Sequence, residues 1–114
     1  MSVKLNVRQV GDVSVVDVAG RITLGEGSSA LRDSLREMVG KGQTKILLNL
    51  GEVSYIDSSG IGELVSGFTS VTNAGGQLRL LNLTKRVKDL LQITKLYTVF
   101  DVHDSEVSAV RSFQ

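Results

Sequence analysis

The chain has 114 residues, a length that suits one domain with a modest core, and residues 1–114 are read as a single unit. With no cysteine, one histidine (His103) and a formal net charge of +1, it has no disulfides, no thiolate or multi-histidine metal site of its own, and no electrostatic case for nucleic acid. No basic start followed by an apolar run marks a leader, and no run is long enough to span a bilayer, so a cytoplasmic protein without a cofactor is expected.

Val3, Leu5 and Val7 alternate with Lys4, Asn6 and Arg8, the period-two pattern of a half-buried strand. Val13, Val15, Val16 and Val18 make a second strand, and Gly11-Asp12 between the two suits a hairpin turn with positive φ. Gly20 is expected to end that strand, with Ile22 to Leu24 continuing along the sheet edge. Gly25 to Ser29 reads as a loop and a helix start, with serine as the cap. Leu31, Leu35, Met38 and Val39 recur at helical spacing until Gly40 and Gly42 stop the helix. Ile46, Leu47, Leu48 and Leu50 form a nearly continuous apolar run, which suits a central strand covered on both faces.

Ile61, Leu64, Val65, Phe68 and Val71 mark the clearest helix, ended by Gly75-Gly76. Leu78, Leu80 and Leu81 form the next strand. Val87, Leu90, Leu91 and Ile93 mark a third helix starting near Thr84, and Tyr97 to Val102 a further short strand. Val107 and Val110 suggest a closing helix capped by Asp104 or Ser105. An antiparallel hairpin followed by alternating helix and strand predicts an α/β fold, a small mixed sheet with parallel pairing, right-handed crossovers and helices packed on it.

Asp57-Ser58-Ser59-Gly60 falls between the central strand and the clearest helix, and Asp57, Ser58 or Ser59 each qualifies as the cap. A helix N-terminus favours negative charge, so the fold accommodates a phosphate on Ser58. Between Ile46 and Leu78 there is no Lys or Arg, while Glu52, Asp57 and Glu63 are all present. A phosphate adding about −1.5 to −2 charges at neutral pH finds no neutralising neighbour there. It acts as surface repulsion unless Lys45, Arg79 or another distant residue folds back. With the apolar stripe inward, Gly62, Glu63, Ser66, Thr69, Ser70 and Asn73 point outward, and most are small. Glycine in a helix costs about 1 kcal/mol relative to alanine, and a docking face explains accepting Gly60, Gly62 and Gly67.

The plain alternative is that Asp-Ser-Ser-Gly is helix-capping vocabulary. A reciprocal Ser-x-x-Glu capping box is absent from Ser58 and Ser59. Other motifs fail on spacing. Gly60-Ile61-Gly62 opens like a dinucleotide loop but ends on Val65, no Walker pattern occurs, and a nucleophile elbow at Ser58 needs glycine where Ile56 stands. A serine triad has to recruit His103, which reads more simply as a surface residue after a short strand.

The order of elements, with Tyr55-Ile56-Asp57-Ser58-Ser59-Gly60-Ile61-Gly62 after an apolar strand, resembles the STAS domain. Gly20-Arg21-Ile22, Asn49-Leu50 and Gly75-Gly76 before Leu78-Arg79-Leu80 belong to the same likeness, which covers nearly the whole chain and is strongest to the stand-alone bacterial anti-sigma factor antagonists. The resemblance implies a non-enzymatic partner switch. The unphosphorylated antagonist binds an anti-sigma factor that is itself a serine kinase, and a sigma factor is released. The kinase phosphorylates the serine after the aspartate, here Ser58, and a metal-dependent phosphatase resets it. Asp57 holds the junction and faces the kinase or its nucleotide, while Thr23, Ser59, Gly60, Ile61 and Gly62 form the docking rim. Many such antagonists carry an aspartate in the loop after the second strand, where this chain has Thr23. Two other roles fit the same fold: a scaffold or regulator in a stress-sensing complex or lipid-transport ATPase system, and a small-ligand or nucleotide-binding module.

Overall fold

The computed structural model describes residues 3–113. Its elements in chain order are β1 (Val3–Val10), β2 (Val13–Ile22), α1 (Glu26–Gly40), β3 (Lys45–Ile56), α2 (Ser58–Asn73), β4 (Gln77–Leu81), α3 (Lys85–Ile93), β5 (Val102–His103) and α4 (Glu106–Arg111). The five-stranded sheet runs β1-β2-β3-β4-β5. β1 and β2 are antiparallel, and the other neighbours are parallel. The hairpin closes at Gly11-Asp12, where Gly11 has φ 63° at the first turn position, a conformation that glycine adopts without strain.

β3 is the central strand, and its continuous apolar run is explained by cover on both sides. Ile46, Leu48 and Leu50 meet the buried residues of α1, α2 and α3, including Leu35, Leu64 and Leu91. Leu47 joins Val13, Val15, Leu81, Ala109 and Phe113 on the other face, under α4. Arg8 fastens α4 to the hairpin by bonding Asp17 Oδ2 and Glu106 Oε1, each at 2.6 Å. Asn49 adds a bond to Asp17 Oδ1 at 2.9 Å. The guanidinium holds both carboxylates below their usual range.

Several local expectations are corrected. Gly20 does not end β2, because the chain passes it with φ 104° and an irregular register and continues beside β3 to Ile22, opposite Ile56. No serine caps α1; its N-cap is Gly25, and Ser28 is a buried helix residue. Tyr97 to Val102 is not a strand. The amides of Leu96 and Tyr97 turn back to the Leu91 carbonyl and close α3, so pairing begins at Val102, opposite Leu80. Ile93 and Val107 are exposed, and the weight of α4 falls on Ala109 and the following Phe113. Thr84 and Ser105 are the caps of α3 and α4.

One length mismatch builds the site. β4 ends at Leu81 opposite Asn49, while β3 continues to Ile56 beside β2. The start of α2 is thus pressed against the end of β2, where the Asp57 amide donates to the Ile22 carbonyl at 3.3 Å. Gly60 makes that approach possible. A Cβ on it would strike the Ile22 carbonyl oxygen and lie 2.6 Å from Ile56 Cγ1 and 2.9 Å from Ile22 Cγ2. Around Gly62 a Cβ would meet nothing within 4 Å.

The two glycines therefore respond oppositely to the same substitution. Gly60→Ala should destabilise the protein by about 1–3 kcal/mol through overpacking against backbone. Gly62→Ala should stabilise it by up to about 1 kcal/mol through helix propensity. Urea unfolding of the two variants at neutral pH measures both.

Candidate functional site

The ambiguity over the helix cap is resolved in favour of Asp57. Its Oδ1 accepts from the Gly60 amide at 3.0 Å, and its Oδ2 accepts from the Leu24 amide, also at 3.0 Å. One carboxylate thus caps α2 and holds the loop between β2 and α1. These bonds, that of Gly60 first, keep the carboxyl below its ordinary range against the opposing effect of burial.

Because Asp57 is the cap, neither serine is needed for capping. Ser58 is the first residue of α2 and is exposed, whereas Ser59 is half-buried. The Ser58 hydroxyl has no hydrogen bond among the described residues. It stands at the positive end of a helix with no acidic side chain in its first turn.

The other candidates divide. Thr23 is half-buried in the loop that Asp57 holds, and Gly62 is open. Ile61 is 4% exposed and belongs to the core, and Gly60 is buried under Ile22. As rim residues these two are corrected: the helical spacing that places Ile61 on the apolar stripe also turns it away from solvent. Gly67 likewise serves packing, since it seats Leu35 of α1, and a groove lined by Leu35, Val39, Ser66, Gly67 and Ser70 separates the two helices.

Residues unforeseen in the sequence complete the surface. Leu24 is 78% exposed although its amide is held by Asp57. Arg21 and Arg86 both lie over the Tyr55 ring, at 4.6 and 4.3 Å from its centroid. Arg32 bonds Glu63 Oε2 at 3.2 Å. The lack of basic residues between Ile46 and Leu78 therefore does not leave the site without cations; β2, α1 and α3 supply them. Lys45 and Arg79 do not fold back, being paired with Asp12 and Asp101. Arg21 sat in view next to Gly20, but Arg86 is remote in the chain and no local pattern signals it.

His103 lies on β5, 19% exposed and 3.2 Å from Asp101 Oδ2, and is not the surface residue expected. β4 separates its strand from β3, so it is not assembled with Ser58. Among the described residues no group of three or more His, Cys, Asp or Glu could hold a metal, and no helix is long and apolar enough to cross a membrane.

Loss of the Asp57 carboxylate should be felt as lost capping. Asp57→Ala is expected to cost about 0.5–2 kcal/mol at pH 7. The carboxyl titrates lower in the fold than in the unfolded chain, where it has a pKa of about 3.9. Its stabilisation is therefore complete above that value and fades as pH falls through the lower folded one. Denaturant titrations of wild type and variant from pH 7 downward should converge only in acid.

The architecture and this junction can be set beside known proteins. A family model for the STAS domain matches residues 4–109. The anti-sigma-B factor antagonist of Bacillus subtilis is 33% identical over 102 residues, which cover 90% of this chain and 92% of that protein. A solved anti-sigma factor antagonist from Mycobacterium paratuberculosis shares the fold with a TM-score of 0.84 at 18% identity, over 98% of this chain and 94% of that one. The Bacillus cell fate determinant SpoIIAA in its phosphorylated form does so with a TM-score of 0.76 at 19% identity, over 97% of this chain and 100% of that one. With an antiparallel hairpin leading into parallel strands, and a family match spanning nearly the whole described fold, the chain belongs to the STAS domain family.

Proposed function

We propose that this protein is an anti-sigma factor antagonist, a regulatory partner switch in which Ser58 is the phosphoacceptor. The observation that carries this reading is the division of labour at the head of α2: Asp57 supplies the cap, and the neighbouring Ser58 hydroxyl is exposed and uncommitted. A serine left free by the fold, on a surface with the exposed Leu24 and the open Gly62, suits a group modified by a partner. The named relatives support the same reading: one is an anti-sigma-B factor antagonist, and another has been solved in a phosphorylated form.

In this reading the unphosphorylated protein binds an anti-sigma factor in the cytoplasm, and a sigma factor is released. That anti-sigma factor is also the serine kinase, and a phosphoserine phosphatase restores the binding form. The switching itself asks for no catalytic group in this chain. Thr23, Leu24, Ser58, Ser59 and Gly62 form the docking rim, with Asp57 fixing the loop against the helix. A phosphate on Ser58 is accepted by the fold because it sits at the positive end of α2. It opposes the partner by adding charge and bulk in the middle of the rim. A difference of about 3 kcal/mol in docking energy shifts affinity roughly a hundredfold.

Incubation with the anti-sigma factor kinase of the same genome and ATP, followed by mass spectrometry, should place one phosphate on Ser58. Phosphate on another residue, or none, contradicts the assignment. In calorimetric titrations Ser58→Ala should bind the same partner as wild type does, and Ser58→Asp at least about tenfold more weakly. Equal affinity of the two variants would rule out the charge mechanism.

A further inference from the structure

The guanidiniums of Arg21 and Arg86 come from β2 and α3, 65 positions apart, and share the ring of Tyr55 on β3. Both side chains are exposed, while the Tyr55 ring between them is half-buried. Neither has a carboxylate partner among the described residues, where Arg8, Arg32, Lys41, Lys45, Arg79 and Lys85 each have one. Two like charges held at one ring repel each other, and the Tyr55 ring face rather than a carboxylate holds them there. The head of α3 repeats the pattern. Its first turn has no acidic residue and instead carries Lys85, Arg86 and the nearby Lys88, where the helix dipole disfavours cations. Of these, only Lys85 has a carboxylate partner among the described residues, Asp89.

This cationic patch borders the switch. Arg21 is paired with Tyr55 in the sheet, and the next pair, Ile22 with Ile56, leads directly to Asp57. Three Cα steps separate Tyr55 from Ser58, at most about 11 Å of chain. We propose that Arg21 and Arg86, held against Tyr55, are the docking point for an acidic segment of the anti-sigma partner. The inference rests on the antagonist reading and names the chemistry of that partner's facing edge. Guanidinium forks match carboxylates in a bidentate manner, and the Tyr55 ring orients both forks before the partner arrives. The sign of the switch agrees with the same chemistry. A phosphate on Ser58 can repel electrostatically a partner whose edge there is negative, and it would also compete for the two cations that hold that edge. Two guanidiniums in a chain of formal net charge +1 do not make the extended basic stripe that a nucleic acid backbone needs.

The test is calorimetric titration of the full chain with the anti-sigma factor kinase of the same genome, at two or more salt concentrations. Arg21→Gln and Arg86→Gln should each weaken binding a few-fold, and Arg21→Lys should recover much of the loss. The double change Arg21→Glu with Arg86→Glu should weaken it by roughly tenfold or more and flatten its salt dependence. Melting temperatures separate this from a purely structural clamp on Tyr55; if the double variant does not fold, the two glutamine variants and their salt dependence decide. Binding of the reversed variant within twofold of wild type, while Ser58→Asp still binds weakly, overturns the acidic docking point and leaves the antagonist reading standing. Wild type that does not bind the kinase at all overturns both. Wild type that binds duplex DNA or RNA at physiological salt through Arg21 and Arg86 gives the patch to nucleic acid and overturns the proposal.

Discussion

The carboxylate of Asp57 carries two duties that could have been separate. One oxygen closes the exposed amide end of α2, and the other fixes the amide of Leu24 on a loop 33 positions earlier in the chain. Helix capping is ordinary. Sharing the cap with a distant loop is what makes a surface, because the loop of Thr23 and Leu24 is tied to the head of α2 through one carboxylate. Gly60 sets how close the two parts come, since only a residue without Cβ lets α2 rest on the Ile22 carbonyl.

The electrostatics of the site follow from the same closeness. Its acidic residues are mostly answered within the fold, Asp57 by backbone amides and Glu63 by Arg32. The cations over Tyr55 are not answered by a carboxylate among the described residues. The surface around Ser58 is therefore less negative than the local sequence implies. Some charges elsewhere are closed on themselves: Arg8 binds Asp17 and Glu106 and so joins the hairpin to α4, far from the switch in role. At such half-exposed positions each pair is worth little in stability. The contrast between closed pairs and open cations matters more here than any single energy.

How much was legible can be judged residue by residue. The helical spacing of Ile61, Leu64 and Val71 and the unbroken run at Ile46 to Leu48 report burial directly, and all six are core. Spacing did not show that the same stripe removes Ile61 from the rim, because a motif read as a string gives every member the same status. Tyr97 to Val102 misled for a related reason. Alternating apolar residues satisfy a turn that closes α3 as well as they satisfy a strand, and the Leu91 carbonyl decides between them. The cap was undecided among three neighbours because capping is a matter of side-chain direction, which the bond from the Gly60 amide to Asp57 settles.

By itself the sequence determined the element order, the central strand, the junction at Asp57 to Gly62 and the family to which they belong. Each is local: it depends on hydrophobic period, turn residues or a short motif, and those act over a few residues. Tertiary structure alone decided that Asp57 rather than a serine is the cap, that Leu24 is presented to solvent, and that Arg21 and Arg86 meet at Tyr55. These depend on distances between segments far apart in the chain. Such distances are set by the length mismatch of β3 and β4 and by the contact at Gly60, and no local pattern encodes them.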